Sequence, residues 1–95
     1  MLTISLQAVH LEMTDAIAEY AAGKVQALAK FTSDEEISVQ VTVGKTSDHH
    51  QKGPVFLCEV QMNGPETKIM AKEVTEDLYA SIDAVVAKLK RQLTA

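Results

Sequence analysis

Residues 72–93, KEVTEDLYASIDAVVAKLKRQL, decide the fold. They span about six helical turns and contain neither Gly nor Pro. Thr75 is the predicted N-cap, because its hydroxyl can accept a hydrogen bond from a backbone N–H of the first turn. The stretch therefore predicts a long amphipathic helix around which the other elements are arranged. Its apolar residues recur at helical spacing and form one stripe, which consists of Leu78, Ile82, Val85, Leu89 and Leu93, flanked by Tyr79 and Val86.

Charge is sorted along this predicted helix. Glu76 and Asp77 lie at its start, and Lys88, Lys90 and Arg91 lie at its end. Acids at the first turn and cations at the last compensate the helix dipole. A basic helix end can also contact phosphate groups. Charge order by itself is compatible with both interpretations.

Four stretches alternate between apolar and polar residues, as a strand with one buried face does. They are residues 2–8, 36–44, 54–63 and 66–72. Between the first two, Thr14 is the predicted N-cap of a second helix. The apolar stripe of that helix comprises Ile17, Ala21, Val25 and Leu28. Residues 44–54 form a predicted polar loop, and Asn63-Gly64-Pro65 is a predicted turn.

The resulting order, β-α-β-β-β-α, predicts an α+β fold in one domain that spans residues 1–95. The crossover helix makes the first two strands parallel, and short loops make the remaining pairs antiparallel. Every strand has one apolar face and each helix one apolar stripe. The predicted architecture is therefore a two-layer sandwich, a four-stranded mixed sheet with both helices on one face.

Composition narrows the function classes. The hydrophobic fraction of 46% supplies one modest core, while aromatics make up 4% and Trp is absent. The net charge of −4 and the pI of about 5.2 argue against a general nucleic-acid binder, although they leave room for a local basic patch. One Cys is consistent with a reducing compartment. Neither a membrane span nor a signal peptide is predicted, so we expect a cytoplasmic protein.

Enzyme chemistry is not predicted. The chain has no phosphate-binding Gly loop, no metal-ligand spacing and no nucleophile motif. Asp48, His49 and His50 lie in the polar loop and are interpreted as solvated. Cys58 lies on the apolar face of its strand and is interpreted as a small buried residue. We expect no catalytic residue, no metal, no cofactor and no small-molecule substrate.

The run EDLYASIDAVVAKLKRQL resembles the C-terminal helix of the ribosome-associated inhibitor / hibernation promoting factor family, also called the sigma-54 modulation protein family. Two blocks carry the resemblance, residues 76–83 and residues 88–93. The end of the first helix also resembles the family, which closes this helix on a basic residue and an aromatic. The matching residues there are Lys24, Leu28, Lys30 and Phe31.

The resemblance implies the predicted fold and a non-enzymatic role. Members of the family bind the small ribosomal subunit, with its 16S rRNA and ribosomal proteins, in the channel occupied by mRNA and tRNA. They block translation and preserve idle ribosomes under stress. By residue match, the implied rRNA-binding residues are Lys24, Lys30, Lys88, Lys90 and Arg91. Lys72 is added on position alone.

Alternatives remain open from the sequence. The net charge of −4 also suits an acidic protein-interaction module, of the transcription-factor modulation type, that does not bind rRNA. A small enzyme would require His10, His49 or Cys58 to converge in a cleft. The chain is expected to lack the C-terminal dimerisation domain of the longer family members. Promotion of ribosome dimers and silencing of single ribosomes are both compatible with the sequence.

Overall fold

The computed structural model describes residues 1–46 and 55–95. A four-stranded sheet has the order β1-β2-β3-β4, with β1 parallel to β2 and the other neighbours antiparallel. The predicted β-α-β-β-β-α order and mixed sheet are confirmed. The elements are β1 (Leu2–Val9), α1 (Asp15–Gln26) with a following 3₁₀ segment (Ala27–Phe31), β2 (Ile37–Lys45), β3 (Phe56–Asn63), β4 (Lys68–Thr75) and α2 (Leu78–Thr94).

The core lies between the helices and one face of the sheet. Alternate residues of β2 and β3 point into it, because successive side chains of a strand face opposite sides. The buried set on these strands comprises Ile37, Val39, Val41, Val43, Cys58, Val60 and Met62, each at most 2% exposed. Both helices pack onto this face, as predicted, and contribute to the same core cluster. The opposite face of the sheet, which we call the open face, carries mostly polar side chains.

The first helix forms as predicted. The N–H of Ile17 donates to Thr14 Oγ1 at 3.2 Å, so Thr14 caps α1. Its predicted apolar stripe, Ile17, Ala21, Val25 and Leu28, is buried. The chain then tightens into the 3₁₀ segment and ends it at Phe31. This tightening carries Lys30 and Phe31 towards the C-terminal end of α2.

The second helix begins later than predicted. The sequence predicts Thr75 as the cap, and so a helix from Glu76, whereas α2 starts at Leu78 and Asp77 caps it by accepting from the N–H of Ala80 at 3.3 Å. Residues 72–75 instead continue β4, which pairs there with residues 56–59 of β3. Val74 and Thr75 are β-branched and favour a strand. Pairing with β3 therefore makes this segment a strand, although its sequence is also compatible with the start of a helix. The predicted strand 66–72 accordingly shifts to Lys68–Thr75.

Thr75 has a different structural role from the one predicted. Its hydroxyl lies 2.7 Å from the hydroxyl of Ser81 in the first turn of α2. The buried Ser81 hydroxyl in turn donates to the carbonyl oxygen of Phe56 at 2.7 Å. The start of α2 is thereby bonded to β3 and β4, which fixes where the helix lies on the sheet. The predicted loop 44–54 supplies Gly44 and Lys45 to β2, and its residues 47–54 lie outside the described ranges.

We expect Leu89→Ala to lower the free energy of unfolding by about 2–5 kcal/mol, because a fully buried side chain leaves a cavity that the core fills only in part. Leu89 is 0% exposed. Leu93→Ala removes the same atoms from a half-buried position of the same helix and is the matched control, with a smaller expected loss. Urea unfolding of both variants measures the difference. Equal losses would show that the stripe is not packed as described.

Candidate nucleic-acid interface

The two helical segments meet along an exposed line that we call the helix seam. Helical spacing brings Tyr79, Asp83 and Lys90 of α2 onto one side, since residues four and seven apart share a face. The first helical segment lies beside them. Its contributions to the seam are Tyr20, Lys24, Lys30 and Phe31, and each of these contacts either a residue of α2 or another member of the seam.

Tyr20 and Asp83 join the helices at one end of the seam. The Tyr20 hydroxyl donates to Asp83 Oδ1 at 2.6 Å, and this hydrogen bond is the main reason that the pKa of Tyr20 is raised above its ordinary value of 10.0. The Tyr20 ring meets the Tyr79 ring edge-to-face, with centroids 4.9 Å apart. Tyr79, interpreted from the sequence as a packing residue, therefore packs between helices while remaining 37% exposed.

Lys24 belongs to the same end of the seam. Its Nζ lies 3.6 Å from Asp83 Oδ1 and 5.5 Å from the centroid of the Tyr20 ring. The carboxylate of Asp83 therefore offsets much of the charge of Lys24. This end of the seam is close to neutral.

Phe31 organises the other end of the seam. Lys30 Nζ lies 5.3 Å from the centroid of its ring, and Lys90 Nζ lies 5.4 Å from the same centroid. Both are cation–π contacts. Neither lysine forms an ion pair with a carboxylate of residues 1–46 or 55–95. Two ammonium groups from different elements therefore converge on one ring, and no carboxylate of the described residues pairs with either. The exposed Arg91 follows Lys90 directly.

Lys88 and Lys72 lie on other surfaces. Lys88 Nζ contacts Glu73 Oε2 at 2.8 Å, which links α2 to β4. Lys72 is exposed on β4, between positions whose side chains face the helices, and it lies opposite Glu59 on the open face. The structure thus brings Lys24, Lys30 and Lys90 together along the seam, with Arg91 adjacent, and separates Lys72 and Lys88 from them.

The acidic residues that follow Phe31 have their own structural role. Asp34 Oδ2 accepts the N–H of Glu66 at 3.1 Å, which fastens the segment before β2 to the turn between β3 and β4. Sequence reasoning missed this contact, and it also missed Phe31 and Asp83 as organisers of the seam. The spacing of Tyr79, Asp83 and Lys90 was the available signal for the face of α2. No sequence pattern indicated which part of the first helical segment would oppose it.

The residues considered for catalysis do not form a site within the described ranges. Cys58 is 0% exposed in the core, and burial raises the pKa of its thiol to about 12. His10 is exposed after the end of β1, on a backbone with φ of 56°. Asp48, His49 and His50 lie outside the described residues. The residues described contain no group of three or more His, Cys, Asp or Glu that could hold a metal ion.

Membrane insertion through helices finds no support in the described part of the chain, since neither helix there has the length and apolarity that a span requires.

Comparison with known proteins identifies similar chains along almost the whole sequence. Residues 4–95 match the family model described as Sigma 54 modulation protein / S30EA ribosomal protein. A ribosome hibernation promotion factor of Lactococcus lactis subsp. cremoris is 29% identical over 94 residues, which cover 98% of this chain and 48% of that protein. One of Deinococcus radiodurans is 33% identical over 85 residues, covering 88% and 43%. The chain spans about half the length of these curated relatives.

Solved structures show the same fold. The N-terminal domain of Thermus thermophilus Protein Y superposes with a TM-score of 0.77 at 30% identity, covering 93% of this chain and 90% of that one. A ribosomal subunit interface protein from Coxiella burnetii superposes with a TM-score of 0.68 at 17% identity, covering 99% and 94%. At that lower identity the second likeness concerns the fold alone.

Cys58 is expected to resist alkylation in the folded protein. Raising the thiol pKa from 9.0 to about 12 lowers the reactive thiolate fraction about a thousandfold at mildly alkaline pH. Iodoacetamide labelling followed by mass spectrometry measures the rate without ambiguity, because the chain has a single Cys. The same protein in denaturant is the control and should label at the rate of a free thiol. Fast labelling of the folded protein would contradict the burial of Cys58.

Breaking the Tyr20–Asp83 hydrogen bond should lower the pKa of Tyr20 towards 10.0, because that bond is the largest cause of the raised value. Ultraviolet titration of tyrosinate in a Tyr79→Phe background reads Tyr20 alone, since the chain has two tyrosines. Asp83→Ala removes the acceptor and the charge, whereas Asp83→Asn retains an acceptor and should give a smaller shift. An unchanged titration in Asp83→Ala would contradict the contact.

Proposed function

The chain belongs to the Sigma 54 modulation protein / S30EA ribosomal protein family, and on that premise we propose that it is a ribosome hibernation factor that binds the small ribosomal subunit through the helix seam. Two relatives that share this stretch of sequence are named ribosome hibernation promotion factors. The proposed role is one of binding and not of catalysis. It assigns residues 1–95 to a single ribosome-binding domain that acts in the cytoplasm.

The convergence of Lys30 and Lys90 on Phe31 carries the proposal for the binding surface. A cation–π contact orients an ammonium group without cancelling its charge. The side chains are therefore partly ordered before a phosphate arrives, which reduces the entropy lost on binding. Arg91 adds a planar group that can bind phosphate in a bidentate way. Lys30 and Lys90 form the cationic end of the seam, and the exposed Arg91 is the next residue of α2.

The other predicted cations are expected to contribute less to phosphate binding at this surface. Lys24 shares its charge with Asp83, and Lys88 shares its charge with Glu73. Lys72 lies on the open face of the sheet. The proposal therefore ranks Lys30, Lys90 and Arg91 first, with Lys24 as a neighbour that an incoming phosphate could draw away from Asp83.

An acidic chain can bind RNA in this way because phosphate contacts act at short range. The net charge of −4 opposes approach from a distance, but salt screens it beyond about 10 Å. The contacts would read the shape and phosphates of rRNA and not its sequence. By the resemblance, the site is the channel of the small subunit where mRNA and tRNA bind, so that occupation of the site blocks translation and preserves the idle ribosome.

A second candidate is an acidic protein-interaction module that does not bind rRNA. The specific observation in its favour is that carboxylates of the chain itself compensate Lys24 and Lys88. This leaves a cationic surface smaller than the family pattern implies. The two candidates differ in whether the remaining cations are needed for ribosome binding.

Lys30→Glu combined with Lys90→Glu should weaken small-subunit binding by at least about a hundredfold, because two phosphate contacts are lost and replaced by repulsion. Co-sedimentation with purified small subunits across a salt series measures this. Wild-type binding should weaken as salt rises. Folding should change little, since both positions are exposed and such substitutions usually alter stability by about 0.5 kcal/mol or less.

The matched control is Lys72→Glu combined with Ser38→Glu and Gln40→Glu. It makes the same change in net charge at exposed positions of the open face and should retain binding. Loss of binding in the control alone would move the interface to the open face. Salt-independent binding, or the absence of wild-type binding at low salt, would contradict the phosphate-contact proposal and favour the protein-interaction module.

A further inference from the structure

Strand β1 forms an edge of the sheet with one side unpaired by the described residues. It pairs with β2, and the sheet order places nothing beyond it. The N–H of Ile37 donates to the carbonyl oxygen of Met1 at 3.0 Å, and Leu2 lies opposite Ile37. Because backbone groups alternate in direction, the odd-numbered residues of β1 bond to β2. The N–H and C=O groups of the even-numbered residues point away from the sheet.

The two edges of the sheet differ in their protection. Edge strands normally carry charges, Pro or a covering element that prevents pairing with another chain. Strand β4 carries Lys68, Lys72 and Glu73, and the side chain of Gln92 donates from α2 to its Met70 carbonyl at 3.2 Å. The sequence of β1, LTISLQAV, contains no charge, no Pro and no Gly. It is therefore a regular and unguarded template for another strand.

The side chains of β1 on the helix side are also incompletely covered. Ile4, Leu6 and Ala8 are only half-buried, although they pack against the core cluster. Leu11 and Met13, just beyond the strand, are half-buried against the same cluster. An added strand would cover this apolar border and satisfy the outward backbone groups together.

The sequence of β1 matches itself in the antiparallel direction. Pairing about Ser5 sets Leu2 opposite Ala8, Ile4 opposite Leu6 and Thr3 opposite Gln7. Within residues 2–8, each apolar residue then meets an apolar residue on the helix side, and each polar residue meets a polar one on the open face. The even-numbered pairs are also those whose backbone groups point outward, so they form the hydrogen-bonded pairs. A two-fold interface requires this kind of self-complementarity.

We propose that two copies of this chain associate through antiparallel pairing of their β1 strands. The four-stranded sheets join into one continuous sheet, and the two-fold axis passes through Ser5, perpendicular to that sheet. Both pairs of helices then lie on the same side. The self-complementary pattern selects a second copy as the occupant over an unrelated peptide. The interface uses none of the seam cations, so it does not depend on the proposed function.

Salt should favour this association, in contrast to ribosome binding. Each copy carries a net charge of −4, and the two copies repel one another, whereas the paired strands themselves carry no charge. Screening removes the repulsion and leaves the strand pairing intact. Opposite salt dependences therefore separate the two interactions of the chain.

The first test is Ser5→Lys, with Ser38→Lys as the matched control. Both serines are exposed on the open face, but only Ser5 lies on the proposed axis, where two lysines would face each other. Sedimentation velocity across a concentration series should show a wild-type dimer that strengthens with salt. Ser5→Lys should weaken it by at least about tenfold, and Ser38→Lys should not. A wild type that stays monomeric, or equal effects of the two variants, would overturn the proposal.

Cross-linking provides a second readout. Residues facing each other in a non-hydrogen-bonded antiparallel pair have Cα atoms about 4.5 Å apart, a spacing that a disulfide can bridge. Ser5→Cys should therefore oxidise to a covalent dimer, and Ser38→Cys should form no covalent cross-link. Absence of the cross-link in Ser5→Cys would overturn the register. Protection of the β1 amides from hydrogen exchange only when ribosomes are added would assign the edge to a ribosomal partner and overturn self-association.

Discussion

Burial of a single face of the sheet positions every functional group of the molecule. The inward side chains of β2, Ile37, Val39, Val41 and Val43, are at most 2% exposed. Both helices must lie over this face, because each has one apolar stripe to bury. Two helices on one side of a sheet of this width touch each other. The seam between them, and the approach of Lys30 and Lys90 to one ring, are consequences of that single constraint.

The structure holds lysine side chains in place in two ways. Asp83 and Glu73 hold Lys24 and Lys88 with opposite charge, which fixes the side chain but reduces the field that it presents to a phosphate. Phe31 holds Lys30 and Lys90 through its ring, which orients the ammonium group and leaves its charge intact. The proposed function therefore rests on the two lysines at Phe31 and not on the total number of cations.

Local patterning was sufficient to predict the strands, the first helix, its Thr14 cap and the topology. It failed at residues 73–75, which were predicted to lead into the last helix and to cap it but extend β4 instead. Pairing with β3, a contact distant in sequence, decides that segment. The candidate site divides in the same way. The family resemblance identified five of the six candidate cations, and position alone added Lys72. The sequence could not show that Lys88 pairs with Glu73 whereas Lys90 contacts Phe31, because these contacts join residues that are distant in the chain.

Charge in this small domain is distributed unevenly, because strand residues that face the core must be apolar. β1 contains only apolar and uncharged polar residues. β4 has lysines at exposed positions, and the Gln92 side chain of α2 donates a hydrogen bond to its Met70 carbonyl. One edge is thereby closed to further pairing and the other is left open. The cations that remain lie mostly on the helical segments, away from the open edge. The surface proposed to bind phosphate and the edge proposed to accept a strand then occupy separate parts of the same fold, and we expect ionic strength to act on them in opposite directions.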